Sequence, residues 1–204
     1  MADRVRVGVL VSGRGTNMVA LSEYKRREAR SYDLALVASN VPEARGLVVA
    51  RRLGIPIWAL SHKGMEREEF DHLLDLALRE ADVEVVALAG YMRLLSAEFI
   101  GKWRGRILNI HPSLLPDYKG LDTHRRALEA GEIWVGCSVH LVTDELDGGP
   151  VLAQAKVRVR ERETAEQLAG RVLKEEHRLY PETLDAFAAR LLPRREMILG
   201  ERKS

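Results

Sequence analysis

The chain has 204 residues, of which 46% are hydrophobic and 30% charged, a composition typical of one globular domain with a sizeable core. Its 32 lysines and arginines are mixed with 30 aspartates and glutamates, which argues against a nucleic-acid partner because backbone binding needs clustered positive charge. The single cysteine, Cys137, excludes an intrachain disulfide, and no apolar run reaches the roughly 18 residues of a membrane span. We therefore expect a cytoplasmic protein that binds neither nucleic acid nor membrane.

In the first half of the chain, short apolar runs alternate with amphipathic segments. Strands are predicted at residues 5–11, 34–38, 55–60, 83–89 and 106–111, and helices at residues 17–28, 42–53, 66–81 and 96–103. Strands that alternate with helices of this length indicate βαβ units. The fold class that follows is α/β, with a doubly wound, mostly parallel, Rossmann-like sheet.

The pattern changes after residue 111. A helix is predicted at residues 123–130, strands at 136–143 and 151–159, and a long helix from residue 164 to about Arg190. Residues 151–159 alternate between apolar and polar side chains, which predicts a half-exposed antiparallel strand with Val151 on the inner face. We expect one domain over residues 1–190 and a flexible, charged tail over residues 191–204.

Two polar side chains lie at the end of the predicted strand 106–111. Successive strand side chains point to opposite faces, so Asn109 and His111 are expected on the same side. Pro112 lacks a backbone N–H and is expected to end the strand. The amide and the imidazole would then lie at a strand's end, where open α/β sheets bind their ligands.

A carboxylate follows in the turn-like sequence 144–150, where Asp147 precedes two glycines. An amide, an imidazole and a carboxylate can together support acyl transfer. The amide N–H and an imidazolium stabilise a developing oxyanion, and the carboxylate favours the charged imidazole. Taken singly, a histidine with a structural role and a turn-forming aspartate are simpler explanations. We predict Asn109, His111 and Asp147 as the catalytic residues because loops at strand ends can bring them together.

A glycine-containing loop joins the first predicted strand to the first helix. It consists of Gly13, Arg14, Gly15, Thr16 and Asn17. Such a loop can direct backbone N–H groups toward an anion, and the helix N-terminus adds partial positive charge. Met18 stands where the dinucleotide fingerprint has its third glycine, so a mononucleotide phosphate fits better than NAD. A tight turn followed by a helix cap would explain the same residues without a ligand.

Two weaker signals complete the pattern. Glu176 interrupts the apolar stripe of the last helix, and charged residues seldom occupy such a stripe unless they are paired or face a ligand. Alternatively, the stripe has reached the edge of the protein at that point. The connection at residues 92–95 could cover the core or form the wall of a slot for a flat apolar cofactor. The histidines show no metal-ligand spacing, so no metal is expected.

These motifs resemble, in order and spacing, the folate-dependent phosphoribosylglycinamide formyltransferases of purine biosynthesis. The similarity covers residues 7–17, 88–95, 109–116 and 139–150, then Glu176, His177, Tyr180 and Pro181. It extends over nearly the whole chain up to about Phe187. The Asn-x-His-Pro-Ser block with its Asp-Gly-Gly loop is typical of formyltetrahydrofolate enzymes in general, and the glycine loop and the short length indicate this branch.

The resemblance implies a formyltransferase fold and transfer of a formyl group from 10-formyltetrahydrofolate to the amine of glycinamide ribonucleotide. The attack would be direct, without an acyl-enzyme. The implied acceptor-binding residues are Gly13, Arg14, Gly15, Thr16, Asn17, Gly90, Pro112 and Glu176. The implied cosubstrate-binding residues are Arg67, Met92, Arg93, Leu94, Leu95, Val142, Thr143 and Asp144. A nucleotide-binding half would span residues 1–105 and a catalytic and folate-binding half residues 106–190, in a monomer or homodimer.

The chain departs from the family pattern at three places. Arg14 is charged where the family often has a small or neutral residue. Leu173 stands where some members carry a lysine or glutamine that reaches the phosphate, and Lys174 is a candidate replacement. Arg67 falls in a variable segment, which makes its correspondence the weakest.

Other functions remain open at this point. A formyltetrahydrofolate hydrolase shares the three catalytic residues but usually carries an N-terminal regulatory domain, whereas this chain enters its first strand at Val5. A methionyl-tRNA formyltransferase would need a C-terminal RNA-binding domain and a more basic surface. The non-enzymatic alternative is a nucleotide-binding module in which Asn109, His111 and Asp147 are structural.

Overall fold

The computed structural model describes residues 4–27 and 30–201, which contain seven strands and six helices that alternate up to β6, followed by β7 and α6. The strands are β1 (Val5–Val11), β2 (Tyr32–Ser39), β3 (Ile57–Ala59), β4 (Val85–Leu88), β5 (Ile107–His111), β6 (Trp134–Leu141) and β7 (Val151–Arg158). The helices are α1 (Thr16–Arg27), α2 (Arg45–Arg52), α3 (Arg67–Glu80), α4 (Ala97–Lys102), α5 (Thr123–Glu129) and α6 (Ala165–Glu201). An element of the observed type was predicted from the sequence at each of these places.

The end of the last helix differs from the prediction. The sequence predicts an end near Arg190, but α6 continues to Glu201. The interpretation of residues 191–201 as a tail outside the helix is therefore wrong, and residues 202–204 lie outside the described part. Leucine, arginine, glutamate and methionine predominate in this stretch and are good helix formers, so its charge is compatible with a continuing helix.

The seven strands form one sheet in the order β3-β2-β1-β4-β5-β6-β7. Strands β1 to β5 pair in parallel, whereas β6 pairs antiparallel with both β5 and β7. The chain builds outward from β1 to β3 and then returns to place β4 on the other side of β1. Such a reversal leaves a crevice at the carboxyl ends of the two central strands. The predicted doubly wound, mostly parallel sheet is confirmed.

The central strands are apolar because both faces of the sheet are covered. All four residues of β4 are buried, as are six of the seven residues of β1. The edge strand β7 alternates as predicted in its second half, where Ala155 and Val157 are buried. At its start Val151 is 43% exposed, contrary to expectation, because a register shift lies at this end of the β6–β7 pair. In the described part of the chain, no helix is long and apolar enough to span a membrane.

Helix α6 is fixed to the centre of the sheet by one buried hydroxyl. The single hydroxyl proton of Tyr180 is shared between the carbonyl oxygens of Leu88 and Leu108, each 3.1 Å from Oη. These carbonyls belong to β4 and β5, so the contact bridges adjacent strands.

We expect Tyr180→Phe to lower the free energy of unfolding by about 1–2 kcal/mol, because the two carbonyls lose a buried donor. Urea unfolding at neutral pH measures this change. Tyr118→Phe is the matched control, since the Tyr118 hydroxyl bonds Glu132 at the surface. Its expected loss is below about 0.5 kcal/mol. Equal losses in the two variants would contradict the bridging role of Tyr180.

Candidate active site

Strand β5 presents Asn109 and His111 on one face, as predicted. On the opposite face, Leu108 and Ile110 are buried in the core, which fixes the direction of the two polar side chains. His111 is only 5% exposed, while Asn109 is half-buried. The strand ends at His111, immediately before Pro112.

The loop between β6 and β7 brings Asp147 to these two residues. One carboxylate oxygen, Oδ2, lies 3.4 Å from Nδ1 of His111 and accepts from the Gly120 amide at 2.9 Å. The other oxygen, Oδ1, lies 3.5 Å from Nδ2 of Asn109. Asp147 adopts the left-handed conformation, with φ 47°, which a glycine-rich turn accommodates. The three residues predicted as catalytic therefore form one cluster.

His140 is a fourth member of this cluster, which the sequence analysis missed. It lies on β6 opposite Asn109, with Nε2 3.1 Å from Nδ2 of Asn109 and 3.5 Å from Oδ1 of Asp147. Its Nδ1 atom donates to the carbonyl oxygen of Leu141 at 2.9 Å, which orients the ring. The side chain is 2% exposed. Only the antiparallel register of β5 and β6 places His140 here, and no spacing in the sequence indicates that register.

Both ring nitrogens of His111 face hydrogen-bond acceptors. Its Nε2 atom donates to the carbonyl oxygen of Tyr118 at 3.0 Å, and its Nδ1 atom faces the Asp147 carboxylate. A carbonyl and an ionised carboxylate can only accept. An N–H donor at each ring nitrogen would satisfy both contacts, so the surroundings of His111 offer only acceptors to its ring.

The surroundings of Asp147 favour its ionised form. Burial raises the pKa of this carboxyl, but hydrogen bonds from His140 and Gly120 and the charges of His111 and His140 outweigh burial and lower the pKa below its usual value. Asp147 is consequently a stable negative charge that faces two histidines.

The glycine loop lies between β1 and α1, at one side of the crevice. Gly15 has φ +71°, and a Cβ atom there would lie 2.8 Å from the Cα atom of Gly46, so this glycine is required by packing against α2. Gly46 also donates its amide to the carbonyl of Gly13 at 2.9 Å. A Cβ atom at Gly13 would meet nothing within 4 Å, which leaves space for a ligand above the loop. Thr16 begins α1, and Arg14 is exposed.

Glu176 points into the protein toward the glycine loop. Its Oε2 atom accepts from Nδ2 of Asn17 at 2.7 Å, and both side chains are 7% exposed. The alternative that the apolar stripe had reached the protein's edge is therefore wrong. Burial raises the pKa of Glu176, and the hydrogen bond from Asn17 opposes this only in part. The pair joins α6 to α1 beside the crevice.

The connection after β4 borders the other side of the crevice. Met92 and Leu94 are 70% and 55% exposed, whereas Leu95 is buried and the Arg93 guanidinium lies 5.1 Å from the ring centre of Phe70. Leu95 therefore covers the core, whereas the side chains of Met92 and Leu94 face solvent.

The other predicted cosubstrate residues lie on neighbouring segments. Val142 is half-buried and donates its amide to the Ile107 carbonyl at 2.9 Å, while Thr143 and Asp144 are exposed in the loop that carries Asp147. Arg67 is exposed at the start of α3.

The remaining predicted acceptor-binding residues lie at strand ends and in a cavity. Gly90, which follows β4 with φ +75°, is exposed, and Pro112 is half-buried after β5. A cavity of about 640 Å³ between α1 and α6 is lined by Arg14 and Lys174 among others, so both candidate phosphate contacts reach the same space. Among the described residues, no group of three or more histidine, cysteine, aspartate or glutamate side chains is placed to hold a metal ion.

Comparison with known proteins agrees with this geometry. A model of the formyl transferase family matches residues 5–184. The chain belongs to the formyl transferase family. The phosphoribosylglycinamide formyltransferase of Escherichia coli (strain K12) is 44% identical over 188 residues, which cover 90% of this chain and 87% of that protein. The resemblance predicted from the motifs is confirmed.

Solved structures of this formyl transferase family share the fold. The phosphoribosylglycinamide formyltransferase from Brucella melitensis is 48% identical, with a TM-score of 0.88 over 92% of this chain and 97% of that one. Glycinamide ribonucleotide transformylase 1 from Symbiobacterium toebii is 43% identical, with a TM-score of 0.89 over 93% of this chain and 90% of that one.

The family also occurs within larger proteins. The trifunctional purine biosynthetic protein adenosine-3 of Gallus gallus is 44% identical over 188 residues, which cover 92% of this chain but 19% of that protein. The chain therefore spans less than a fifth of the length of such relatives.

The lowered pKa of Asp147 predicts how stability depends on pH. The ionised carboxylate stabilises the fold above its ordinary pKa of about 4, and this contribution is lost as the pH falls through the lowered folded value. Asp147→Asn should therefore be less stable than the wild type at about pH 5.5, and the difference should shrink below about pH 4. Urea unfolding at both pH values measures it. Asp144→Asn, an exposed carboxylate in the same loop, is the control, and a difference for Asp147→Asn that persists at low pH would contradict the assignment.

Proposed function

We propose that this protein transfers a formyl group from 10-formyltetrahydrofolate to the amine of phosphoribosylglycinamide, in de novo purine (IMP) biosynthesis. The observation that carries the proposal is the position of the Asn109–His111–Asp147 cluster. It lies at the carboxyl end of β5, and the glycine loop and residues 92–95 follow the carboxyl ends of the parallel strands β1 and β4, at the same edge of the sheet. The names and similarity of the relatives support the same activity.

The acceptor is proposed to bind at the glycine-loop side. Backbone amides of residues 13–17 and the N-terminus of α1 would hold the ribose phosphate, for which the open space above Gly13 leaves room. Glu176 is a buried carboxylate with one donor, Asn17, and retains lone pairs for the ribose hydroxyls. Arg14 and Lys174 line the adjacent cavity and would add positive charge near the phosphate. Gly90 and Pro112 border the path to the cluster.

The formyl donor is proposed to bind on the opposite side. The exposed side chains of Met92 and Leu94 offer apolar surface to a flat ring, which water would otherwise cover. The backbone amides of residues 93–95 donate to no partner among the described residues and are free to meet polar ring edges. Residues 142–144 would form the facing wall. Arg67, exposed at the start of α3, is proposed to meet the acidic far end of the folate.

The cluster can then perform the transfer directly. As the amine attacks the formyl carbon, negative charge develops on the formyl oxygen, and the Asn109 amide and the His111 imidazolium stabilise it. Asp147 holds the positive charge on His111 and assists removal of the amine proton. The bond between the formyl carbon and N10 of the folate then breaks, and N10 leaves with the electron pair and takes up a proton, so that tetrahydrofolate and the formylated amine are the products. The lowered pKa of Asp147 makes it a weak base, so its contribution is mainly electrostatic. Cys137 is buried in the core, which leaves it unsuited to form an acyl-enzyme.

We further propose that residues 1–105 carry most nucleotide contacts and residues 106–190 the catalytic and folate contacts. The cluster on β5, β6 and the Asp147 loop supports this division. The single, buried cysteine fits the predicted cytoplasmic location. On this proposal the substrates are small molecules. The protein that binds them is a monomer or a homodimer.

The test is the full reaction with both substrates. We expect the wild type to transfer the formyl group to phosphoribosylglycinamide, and His111→Ala and Asp147→Asn to lower kcat by about 10²- to 10⁴-fold with nucleotide binding intact. Loss of formyltetrahydrofolate is followed spectroscopically. His72→Ala, which removes an exposed histidine on α3, is the control and should retain full turnover.

The alternative functions give different results in this assay. Release of formate without the amine acceptor would favour a formyltetrahydrofolate hydrolase, and absence of any turnover would favour a nucleotide-binding module. Near wild-type turnover in either catalytic variant would show that the assigned roles are wrong.

Glu176→Gln should weaken acceptor binding but stabilise the fold. Because the folded pKa of Glu176 is raised, the ionised carboxylate costs stability once the pH exceeds its unfolded value of about 4.3, and glutamine removes that cost. The variant should unfold at higher urea concentration at neutral pH, while its KM for phosphoribosylglycinamide rises about tenfold through lost charge-assisted hydrogen bonds.

Glu175→Gln is the matched control for this change. Glu175 accepts from Arg178 at 3.1 Å on the outer side of α6, away from Asn17. Its KM should stay at the wild-type value. An unchanged KM in Glu176→Gln would remove this residue from the acceptor site.

A further inference from the structure

Ser12 contacts the connection that follows β4 through both its backbone amide and its side chain. It is the first residue after β1, directly before the glycine loop, and β4 is the neighbouring strand. Its backbone amide donates to the carbonyl of Gly90 at 3.1 Å, which ties the ends of β1 and β4 together. The two connections diverge from this point, one toward α1 and the other toward α4.

The Ser12 hydroxyl uses both of its hydrogen-bonding functions. It accepts from the Met92 amide at 2.7 Å and donates to Oδ1 of Asn40 at 2.6 Å. Asn40 is 2% exposed, and its Nδ2 atom lies 2.9 Å from Nδ1 of His62. The hydroxyl is therefore oriented by a buried partner and presents a lone pair to Met92.

Residues 92–95 have few other backbone anchors. After Met92, the next anchored amide is that of Ser96, which donates to Oδ2 of Asp71 at 2.6 Å. The amides of residues 93–95 donate to no partner among the described residues. The Ser12 hydroxyl is thus the hydrogen-bond acceptor for the first backbone amide of this segment, while the Arg93 guanidinium on Phe70 and the buried Leu95 side chain hold the rest.

The glycine loop, in contrast, is held independently of the Ser12 hydroxyl. Gly46 donates its amide to the carbonyl of Gly13, and the close approach of Gly15 to Gly46 fixes the loop against α2. The glycine loop therefore keeps its position without the Ser12 hydroxyl. The hydroxyl instead connects the start of segment 92–95 to the residue that precedes the loop.

We propose that Ser12 is a positioning residue that sets the formyl-donor segment 92–95 at a defined distance from the acceptor's phosphate loop. The inference rests on the proposed function, because it needs residues 92–95 to bind the donor. A binding segment that loses an anchor must be ordered by its ligand, and this cost weakens binding of that ligand. Loss of the hydroxyl loosens the start of the donor segment and leaves the glycine loop in place.

The proposal makes an asymmetric kinetic prediction. Ser12→Ala should raise the KM for 10-formyltetrahydrofolate about tenfold, because the Met92 amide loses its acceptor. The KM for phosphoribosylglycinamide and kcat should change less than about threefold, because the glycine loop and the catalytic cluster keep their own contacts. Ser12→Thr retains the hydroxyl and should restore the donor KM.

Ser39→Ala is the matched control. Ser39 lies at the end of β2, next to Asn40, and is 1% exposed, but its hydroxyl bonds only the backbone of Val41. This variant should leave both KM values unchanged. The control therefore distinguishes the effect of removing any buried hydroxyl from the effect of removing the Ser12 hydroxyl, which joins the connection after β1 to the one after β4.

Hydrogen exchange of the Met92 amide gives a second measurement, which does not depend on turnover. NMR should show faster exchange at Met92 in Ser12→Ala than in the wild type and in Ser12→Thr. Unchanged exchange would overturn the anchoring role, and so would equal increases in both KM values or a loss confined to kcat.

Failure of the proposed function is distinguishable from failure of this inference. If the wild type transfers no formyl group, the proposed function is wrong. The inference then stands only if Ser12→Ala both accelerates Met92 exchange and weakens calorimetric binding of 10-formyltetrahydrofolate. If either effect is absent, the inference is also wrong.

Discussion

A carboxylate taken out of water has to be compensated by nearby donors and positive charge, and the site depends on how Asp147 meets that constraint. Its side chain is 8% exposed, and its partners come from three separate places: His111 on β5, His140 on β6 and the amide of Gly120. An uncompensated buried charge costs several kcal/mol. The loop between β6 and β7 can therefore take this position only when the strands and the loop before α5 are already assembled.

The same constraint links stability to function. A carboxylate held ionised beside His111 gives Nδ1 of this imidazole a hydrogen-bond acceptor, and the proposed reaction uses the same imidazole to stabilise an oxyanion. Glu176 is a second example, because its burial raises its pKa and is compensated by Asn17 alone. A binding residue of this kind costs the folded protein stability, and such local costs are common at functional sites.

Much of the fold could be predicted because hydrophobic periodicity reports burial directly. The apolar runs of β1 and β4 indicated strands covered on both faces, and the two-residue spacing of Asn109 and His111 placed them on one face. Charge was a poorer guide, since the charged stretch after Arg190 continues as helix. The contacts of Glu176 could not be predicted either, because the stripe on α6 does not reveal what lies opposite it.

The sequence by itself determined which segments become strands and helices, and which polar side chains lie at their ends, because these properties depend on the order of residues within a short stretch. It also carried the motifs by which the formyl transferase family is identified. Only the tertiary structure decided that His140 faces Asn109, that Asn17 reaches Glu176 and that Ser12 joins the connection after β1 to the one after β4. These contacts join residues 31, 159 and 80 positions apart, respectively. Strand order, register and packing set such distances, and no local pattern in the chain encodes them.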